Sequence, residues 1–301
     1  MKQIVIFGEC MVELINKDAN TMLKSYAGDT YNTAIYLKRC APATHVSYMT
    51  TVGSDFLSDE LMLRMGEEEI CTEYVYRSET LNLGLYMVRN DHQGERTFAY
   101  WRDNSAAKQT LNVMNSDLKD VGLFYFSGIS LAILDDAQRD KLFSQLTRLK
   151  AQGTKIVFDP NYRERLWKNP EDARLWTDKA YAISDLAFPG SDDHLMLYGH
   201  TSNDDIFQHL APFNIANIVI KKGPEGVHIQ SGGEYFIVPV ERLAKVVDAT
   251  AAGDAFNGGF LAAYLQGRDL TDAVAFGAKV SANVISYLGA IIPKENFNVT
   301  L

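Results

Sequence analysis

Short runs of apolar residues alternate along the chain with longer stretches that have the periodicity of amphipathic helices. The apolar runs are Ile4–Phe7, His45–Thr50, Leu123–Phe126, Lys155–Phe158, Leu186–Phe188 and Ile218–Lys221. The helical patterns are Thr33–Arg39, Asp55–Gly66, Asp136–Gln152 and Asp205–Phe213. Strands that are apolar on both faces and alternate with helices predict a mainly parallel sheet that is covered on both sides. Ligands of such sheets bind beyond the carboxyl ends of the strands.

Two segments alternate as strands do around the turn signal Asp91-His92-Gln93-Gly94, namely Gly84–Arg89 and Glu95–Arg102. With Met11–Ile15 and the residues up to Gly28 they predict a small lid sheet, built from approximately 11–28 and 83–103. The lid carries more apolar surface than a free hairpin tolerates, so we expect it to pack on a substrate, a partner subunit or both. A homodimer or larger homo-oligomer formed through the lid is the corresponding prediction.

The composition limits the class of protein. The 301 residues carry a formal net charge of −9, which disfavours nucleic acid and anionic membrane surfaces as partners. The apolar amino-terminal run is interrupted at Glu9, too early for a signal peptide. The cysteines Cys10, Cys40 and Cys71 show no metal-ligand spacing and fit buried thiols in a reducing compartment. We therefore expect one cytoplasmic domain that covers residues 1–301.

The segment Ala251-Ala252-Gly253-Asp254 precedes an apolar helical run that extends to Leu265. This places the loop at a helix amino terminus, where free N–H groups and the helix dipole can bind an anion. Small side chains let a phosphate approach closely, and Asp254 would lie near enough to accept a proton from an attacking hydroxyl. An ordinary helix start with an acidic residue in its first turn explains the same pattern, so the loop alone supports both interpretations.

Three segments, Ala27–Ala34, Asp159–Arg163 and Asp248–Gly259, together resemble the ribokinase-like (PfkB) family of sugar kinases. Four further segments resemble the subfamily that acts on 2-keto-3-deoxygluconate, namely Gly8–Leu14, Gly94–Arg102, Ser127–Leu134 and Gly289–Pro293. The resemblance covers essentially the whole chain and implies a three-layer α/β/α core with a β lid, ATP as phosphoryl donor and Mg²⁺. The implied reaction is phosphorylation of the 6-hydroxyl, which yields 2-keto-3-deoxy-6-phosphogluconate.

The same resemblance implies the roles of individual residues. Asp254 would be the general base, with the anion hole formed by Ala251, Ala252 and Gly253. The sugar side would comprise Gly28, Asp29, Asn32, Tyr86, Tyr100, Arg102 and Arg163. The nucleotide side would comprise Asn161, Arg163, Lys221, Gly223, Gly226, Ala251, Gly253 and Asn283. Asp248 and Thr250 would offer oxygen ligands to a monovalent cation such as K⁺.

Residue chemistry supports some of these roles better than others. Arginine binds carboxylates bidentately, so Arg102 and Arg163 would distinguish a sugar acid from a neutral sugar, although Arg163 fits ATP phosphates equally well. Helix capping also explains Asp29. Packing explains Asn283 as well as an adenine contact does.

The chain departs from the family pattern where magnesium is usually held. The family's Asn-x-x-Glu motif would fall near Ser191-Asp192-Asp193-His194, which lacks both defining residues. Asp192 or Asp193 acting through water is the expected substitute. Two alternatives stay open: a fructokinase-type kinase of a neutral sugar, and a catalytically weak sugar sensor on the same fold. A dehydrogenase is poorly supported, because no Gly-x-Gly-x-x-Gly follows the first strand.

Overall fold

The computed structural model describes residues 2–18, 20–90, 96–240 and 246–301. The strands are β1 (Gln3–Phe7), β2 (Met11–Asn16), β3 (Met22–Ala27), β4 (Val46–Val52), β5 (Val75–Arg77), β6 (Leu85–Asn90), β7 (Arg96–Trp101), β8 (Val121–Ser127), β9 (Lys155–Asp159), β10 (Leu186–Ala187), β11 (Asn217–Lys221), β12 (Val227–Ser231) and β13 (Glu234–Val238). The α-helices are α1 (Asp29–Cys40), α2 (Phe56–Glu67), α3 (Thr110–Val113), α4 (Gly128–Ala132), α5 (Asp136–Ala151), α6 (Pro170–Ile183), α7 (Ser191–Tyr198), α8 (Asn203–Leu210), α9 (Ala252–Leu265) and α10 (Leu270–Val284). Every strand and helix predicted from the apolar pattern corresponds to one of these elements. Within the described ranges, no helix combines the length and apolar character that a membrane span requires.

The main sheet contains, among the described residues, nine strands in the order β13-β12-β11-β10-β9-β8-β1-β4-β5. The seven strands β5, β4, β1, β8, β9, β10 and β11 of this sheet run parallel to one another. β12 and β13 extend its edge as an antiparallel hairpin. In β1, Ile4 and Ile6 belong to one buried apolar cluster, whereas Val5 and Phe7 belong to another. Successive strand residues point to opposite faces, so this strand, which is apolar from Ile4 to Phe7, needs a covering layer on each side.

Helices supply both covering layers. Buried residues of α1, α2, α9 and α10 complete the first apolar cluster, and buried residues of α5, α6 and α8 complete the second. The predicted three-layer α/β fold with a mainly parallel sheet is therefore confirmed. Its carboxyl edge is where β1, β8, β9 and β11 end.

The lid is a separate four-stranded sheet in the order β3-β2-β6-β7. Its outer pairs are antiparallel, as expected of hairpins, but the central pair β2 and β6 is parallel. The turn predicted at 91–94 lies outside the described residues. Large apolar side chains of the lid are exposed at Met22, Leu23, Tyr100 and Trp101. The small lid sheet predicted from the sequence is thus present, and part of its apolar surface is open.

Glycines allow α9 to pack closely against its neighbours α1 and α10. A Cβ atom added to Gly258 would lie 2.8 Å from the Leu37 nitrogen and 2.9 Å from the Thr33 oxygen, both in α1. A Cβ added to Gly277 of α10 would lie 2.7 Å from the Phe256 oxygen of α9. Each obstacle is backbone, which cannot move aside as a flexible side chain can. The position of α9 relative to α1 therefore depends on the absence of a side chain at residue 258.

Replacing Gly258 with alanine should lower the free energy of unfolding by about 1–3 kcal/mol, because α1 and α9 would be forced apart. Gly66→Ala is the matched control, since Gly66 lies in α2 and an added Cβ meets nothing within 4 Å. That control should be neutral or stabilising by up to about 1 kcal/mol. Urea unfolding of both variants measures the difference, and equal stabilities would contradict the packing account.

Candidate active site

The amino termini of α1 and α9 meet at the carboxyl edge of the main sheet. The Asn32 amide in α1 donates to the Asp254 carboxylate in α9 at 2.8 Å. The Thr33 hydroxyl lies within hydrogen-bond distance of both the Asp254 carbonyl (3.3 Å) and the Asp29 carbonyl (3.1 Å). Two residues separated by more than 200 positions are thus joined where the sequence predicted a catalytic aspartate and a sugar contact.

The first turn of α9 leaves backbone amides available for an anion. Ala251 precedes the helix in the left-handed region at φ 62°, a conformation that L-residues adopt at an energetic cost. The first intrahelical bond runs from the Ala255 amide to the Ala251 carbonyl at 2.8 Å, so the amides of Gly253 and Asp254 come before it. The Ala252 amide instead donates to the Ala249 carbonyl at 3.2 Å. The amides of Gly253 and Asp254 are thus the ones placed for an anion, and the anion hole at residues 251–253 stays a prediction.

The turn after β9 holds three carboxylates. The Asn161 side chain donates to Asp29 at 2.9 Å, and its backbone amide donates to Asp159 at 3.1 Å. The Tyr162 amide donates to Asp193 of α7 at 3.0 Å. Asn161 adopts φ 33°, which asparagine tolerates better than most residues. Asn161 therefore organises acidic side chains here, and its predicted place on the nucleotide side stays untested.

Crowding of carboxylates shifts their ionisation. Burial, and next the charge of Asp29, raises the pKa of Asp254 to about 8, although the hydrogen bond from Asn32 acts in the opposite direction. Burial, and next the charge of Asp159, raises the pKa of Asp193 to about 6. Like charges in a partly dehydrated site disfavour the ionised form, so the site is short of positive charge.

Two cationic side chains reach this cluster. The Lys221 ammonium, at the end of β11, lies 2.6 Å from the buried Asp159 carboxylate. The same nitrogen would lie 3.5 Å from a Cβ on Gly253, so it stands beside the first turn of α9. Arg163 lies 3.8 Å from Asp193 and keeps 53% of its side chain exposed. Both cationic residues were singled out in the sequence, but the position of Lys221 beside the first turn of α9 was not predicted.

The lid contributes a buried ion pair that sequence reasoning missed. Arg102, predicted to be a receptor for the substrate carboxylate, is buried and donates to the carboxylate of Glu9. The Tyr86 hydroxyl donates to the buried Glu13 carboxylate at 2.6 Å, so this hydroxyl already has a partner within the protein. Tyr100 remains half-exposed beside the Tyr86 ring. The signal for these acids was the pattern Glu9-x-x-x-Glu13 in a segment that otherwise reads as a buried strand.

Gly28 lies between the Glu9 backbone and the Asn32–Asp254 pair. A Cβ on Gly28 would lie 2.1 Å from the Glu9 carbonyl, so the two backbones are in direct contact. The Asn32 amide donates to the Gly28 carbonyl at 2.7 Å, and the Asn32 side chain holds Asp254. Gly28, Asp29 and Asn32 therefore lie together near Asp254, and their contact with a sugar stays a prediction.

The predicted nucleotide loop has the geometry that its glycines suggest. Gly223 and Gly226 adopt positive φ values of 52° and 108°, and the Lys222 amide donates to the Gly226 carbonyl at 3.2 Å. Ile237 is exposed next to Gly226. Its side chain was not among the residues predicted for this loop, because scattered surface apolar residues are common.

Two further predicted residues have partners within the protein. The Asn283 side chain donates to the Asn296 carbonyl and accepts from the Asn298 amide, each at 3.3 Å, which favours the packing interpretation over an adenine contact. The buried Asp248 carboxylate accepts the amides of Thr250 at 2.8 Å and Gly289 at 2.7 Å. Asp248 and Thr250 are thus joined by a hydrogen bond, and their role as cation ligands stays a prediction. No group of three or more His, Cys, Asp or Glu side chains in the described ranges is arranged to hold a metal ion.

Replacing Asp254 with asparagine should stabilise the protein in a pH-dependent way. The pKa of Asp254 is raised to about 8 in the folded protein, so wild-type stability falls as pH rises from about 4 to about 8. The Tm advantage of Asp254→Asn should grow over that window and stay constant above it. Asp140→Asn on the surface of α5 controls for the loss of one negative charge. A Tm difference independent of pH would contradict the raised pKa.

Known proteins resemble this chain over nearly its full length. Residues 1–296 match the family model described as pfkB family carbohydrate kinase. A 2-dehydro-3-deoxygluconokinase of Dickeya dadantii (strain 3937) is 39% identical over 304 aligned residues, with 98% of each chain covered. The 2-dehydro-3-deoxygluconokinase of Escherichia coli (strain K12) is 38% identical with the same coverage.

The fold agrees with that relationship. A solved structure of fructokinase with bound ATP from Xylella fastidiosa superimposes with a TM-score of 0.84 and 25% identity. The superposition covers 96% of this chain and 93% of that chain. A family match of this extent, two relatives above 30% identity and a shared fold lead to one conclusion. The chain belongs to the pfkB family of carbohydrate kinases.

Proposed function

We propose that this protein is an ATP-dependent kinase that phosphorylates 2-keto-3-deoxygluconate, also called 2-dehydro-3-deoxygluconate, on its 6-hydroxyl. The observation that carries the chemistry is the Asp254 carboxylate, held by Asn32 at the amino terminus of α9. The substrate class is supported by relatives of that name at 38–39% identity over 98% of the chain.

Asp254 acts as the general base in this proposal. A base works best when its pKa lies near the working pH, and the pKa of Asp254 is raised to about 8. The Asn32 hydrogen bond fixes one carboxylate oxygen and leaves the other to accept the proton of the 6-hydroxyl. The amides of Gly253 and Asp254 lie at the same helix end and stabilise negative charge on the transferring phosphoryl group.

Lys221 supplies positive charge on the nucleotide side. Its ammonium stands beside Gly253, where an approaching phosphate would be within reach. Phosphoryl transfer requires little covalent chemistry from the protein, so placing and neutralising charge is most of the catalytic task. The glycines of the 223–226 loop let the backbone approach the nucleotide.

The residues present fit a magnesium ion without a dedicated protein cage. Mg²⁺ is typically held by one or two carboxylates, substrate phosphates and water. Asp159 and Asp193 offer carboxylate oxygens at the carboxyl edge, and burial, and next the charge of Asp159, raises the pKa of Asp193, so a bound cation would favour its ionised form. Asp192, the other predicted substitute, is exposed. When bound, the ion would neutralise phosphate oxygens, and Asp159 and Asp193 would hold it.

Arg163 is the better placed of the two predicted carboxylate receptors. It is half-exposed, whereas Arg102 is buried against Glu9. The pairing of Arg102 with Glu9 favours the second candidate function, a fructokinase-type kinase of a neutral sugar, because it occupies part of the guanidinium. A sugar acid would then depend on Arg163 and on the remaining edge of Arg102.

The exposed lid face supports a further part of the proposal. Met22, Leu23, Tyr100 and Trp101 present apolar surface that a second copy of the lid could cover. We include a cytoplasmic homodimer formed through the lid, and K⁺ beside Asp248 and Thr250, in the proposed function.

The function is tested by ADP release from ATP and magnesium with 2-keto-3-deoxygluconate, fructose, ribose and gluconate as acceptors. The keto-deoxy acid should give the highest kcat/KM. Arg163→Gln should reduce that preference over fructose by at least about tenfold, since a charged hydrogen bond to the carboxylate is lost. If the wild type prefers fructose, the protein is still a sugar kinase, but the proposed sugar-acid substrate is wrong.

Asp254→Asn is the matched catalytic control in the same assay. It should bind the sugar but lower kcat by about 10²–10⁴-fold, because the positioned base is lost. Sugar binding without turnover in the wild type itself would favour a sensor over an enzyme.

A further inference from the structure

A buried polar side chain on α9 has no role in the reaction described so far. Asn257 is completely buried and lies among apolar neighbours of the same helix, including Phe256 and Phe260. Burying an amide is costly unless its hydrogen-bonding groups are satisfied. A hydrocarbon side chain would serve the packing of this helix at lower cost, so the polar contacts of Asn257 identify what it does.

Those contacts lead to the site. The Asn257 Nδ2 atom donates to Asp159 at 2.5 Å and to the Tyr125 hydroxyl at 3.0 Å. Its Oδ1 atom accepts from the Lys221 ammonium at 3.4 Å. Lys221 also bonds to Asp159 at 2.6 Å, so the three residues form a closed triangle. Asn257 is the member that contacts both the cation and its counter-ion.

The contacts within this triangle determine the position of the Lys221 ammonium group. Asn257 follows Gly253 by four residues, so the two lie on the same face of α9, one turn apart. A free lysine has many rotamers, and fixing one of them carries an entropic cost. Two acceptors in fixed positions, Asp159 on β9 and Asn257 on α9, hold the ammonium at the first turn of α9, beside Gly253.

We propose that Asn257 is a positioning residue that, together with Asp159, holds the Lys221 ammonium against the amino terminus of α9 for the nucleotide phosphates. This inference rests on the proposed kinase function and assigns a role to a residue that does not itself touch substrate. It explains a buried amide in an otherwise apolar helix segment.

A double-mutant cycle tests the proposal, because only a residue that acts through Lys221 loses its effect when the lysine is absent. The proteins are the wild type, Asn257→Leu, Lys221→Met and the double variant. The readouts are kcat and the affinity for β,γ-imido-ATP relative to AMP. Asn257→Ser is the second variant, in case the leucine is not tolerated in the fold.

Lys221→Met should weaken analogue binding relative to AMP by about 10- to 100-fold, as expected for lost charged hydrogen bonds. Asn257→Leu should weaken analogue binding by about five- to tenfold when Lys221 is present, and by less than about twofold when it is introduced into the Lys221→Met variant. Effects that multiply in the double variant would overturn the proposal. A lower Tm of Asn257→Leu or Asn257→Ser together with normal analogue binding would also overturn the proposal.

Thr154→Val is the structural control. Its hydroxyl is buried and donates to the Val121 carbonyl at 2.8 Å, at the opposite end of β9 from the site. It should lower Tm without changing analogue binding. If the wild type binds the analogue but phosphorylates no sugar, the proposed function fails while the binding cycle still decides the role of Asn257. If the wild type binds no nucleotide, both fail.

Discussion

The hydrogen bond between Asn32 and Asp254 is the interaction on which the site depends. It joins the amino termini of α1 and α9, which come from opposite ends of the chain. Its geometry is possible only because α9 packs directly on the backbone of α1 at Gly258. The apolar core therefore sets the position of Asp254, and the same helix end also presents backbone amides that can bind an anion.

The electrostatics of the site follow from gathering acids at one edge of a sheet. Asp29, Asp159, Asp193 and Asp254 share few cations, and the pKa values of the last two are raised. This arrangement is unfavourable for stability but suits a site that receives cations and phosphate together. Lys221 is already present, and its pairing with Asp159 keeps one positive charge beside α9. Strained backbone at Asn161 and Ala251 occurs in the same place, as is common at functional sites.

Periodicity predicted the fold, and short motifs singled out Asn32 and Asp254, which the fold brings together. The apolar runs predicted the parallel sheet, because a strand such as β1 that is buried on both faces has no polar alternation. The small-residue loop before Asp254 predicted the start of α9. The parallel pairing of β2 with β6 was not predicted, since hairpin signals describe neighbours in sequence and not which hairpins meet.

Partners that are distant in sequence account for what was missed. Arg102 has the same chemistry whether it faces a substrate or Glu9, and only the fold shows that Glu9 lies beside it. Asn257 resembles any polar residue in a helix until Tyr125, Asp159 and Lys221 are brought to it from three strands. Asp192 and Asp193 were both candidates for holding magnesium, and the hydrogen bond from the Tyr162 amide shows that Asp193 is the one that turns inward.

The most direct test of this account is the ionisation of Asp254 in the unliganded protein. Protein labelled with ¹³C at the aspartate carboxyl carbon would be titrated by NMR, and the signal absent from Asp254→Asn would identify the residue. The account predicts that this carboxyl titrates with a pKa near 8, as burial and the charge of Asp29 require. A carboxyl that is fully ionised by pH 5 would contradict both the crowded acidic site and the tuned base.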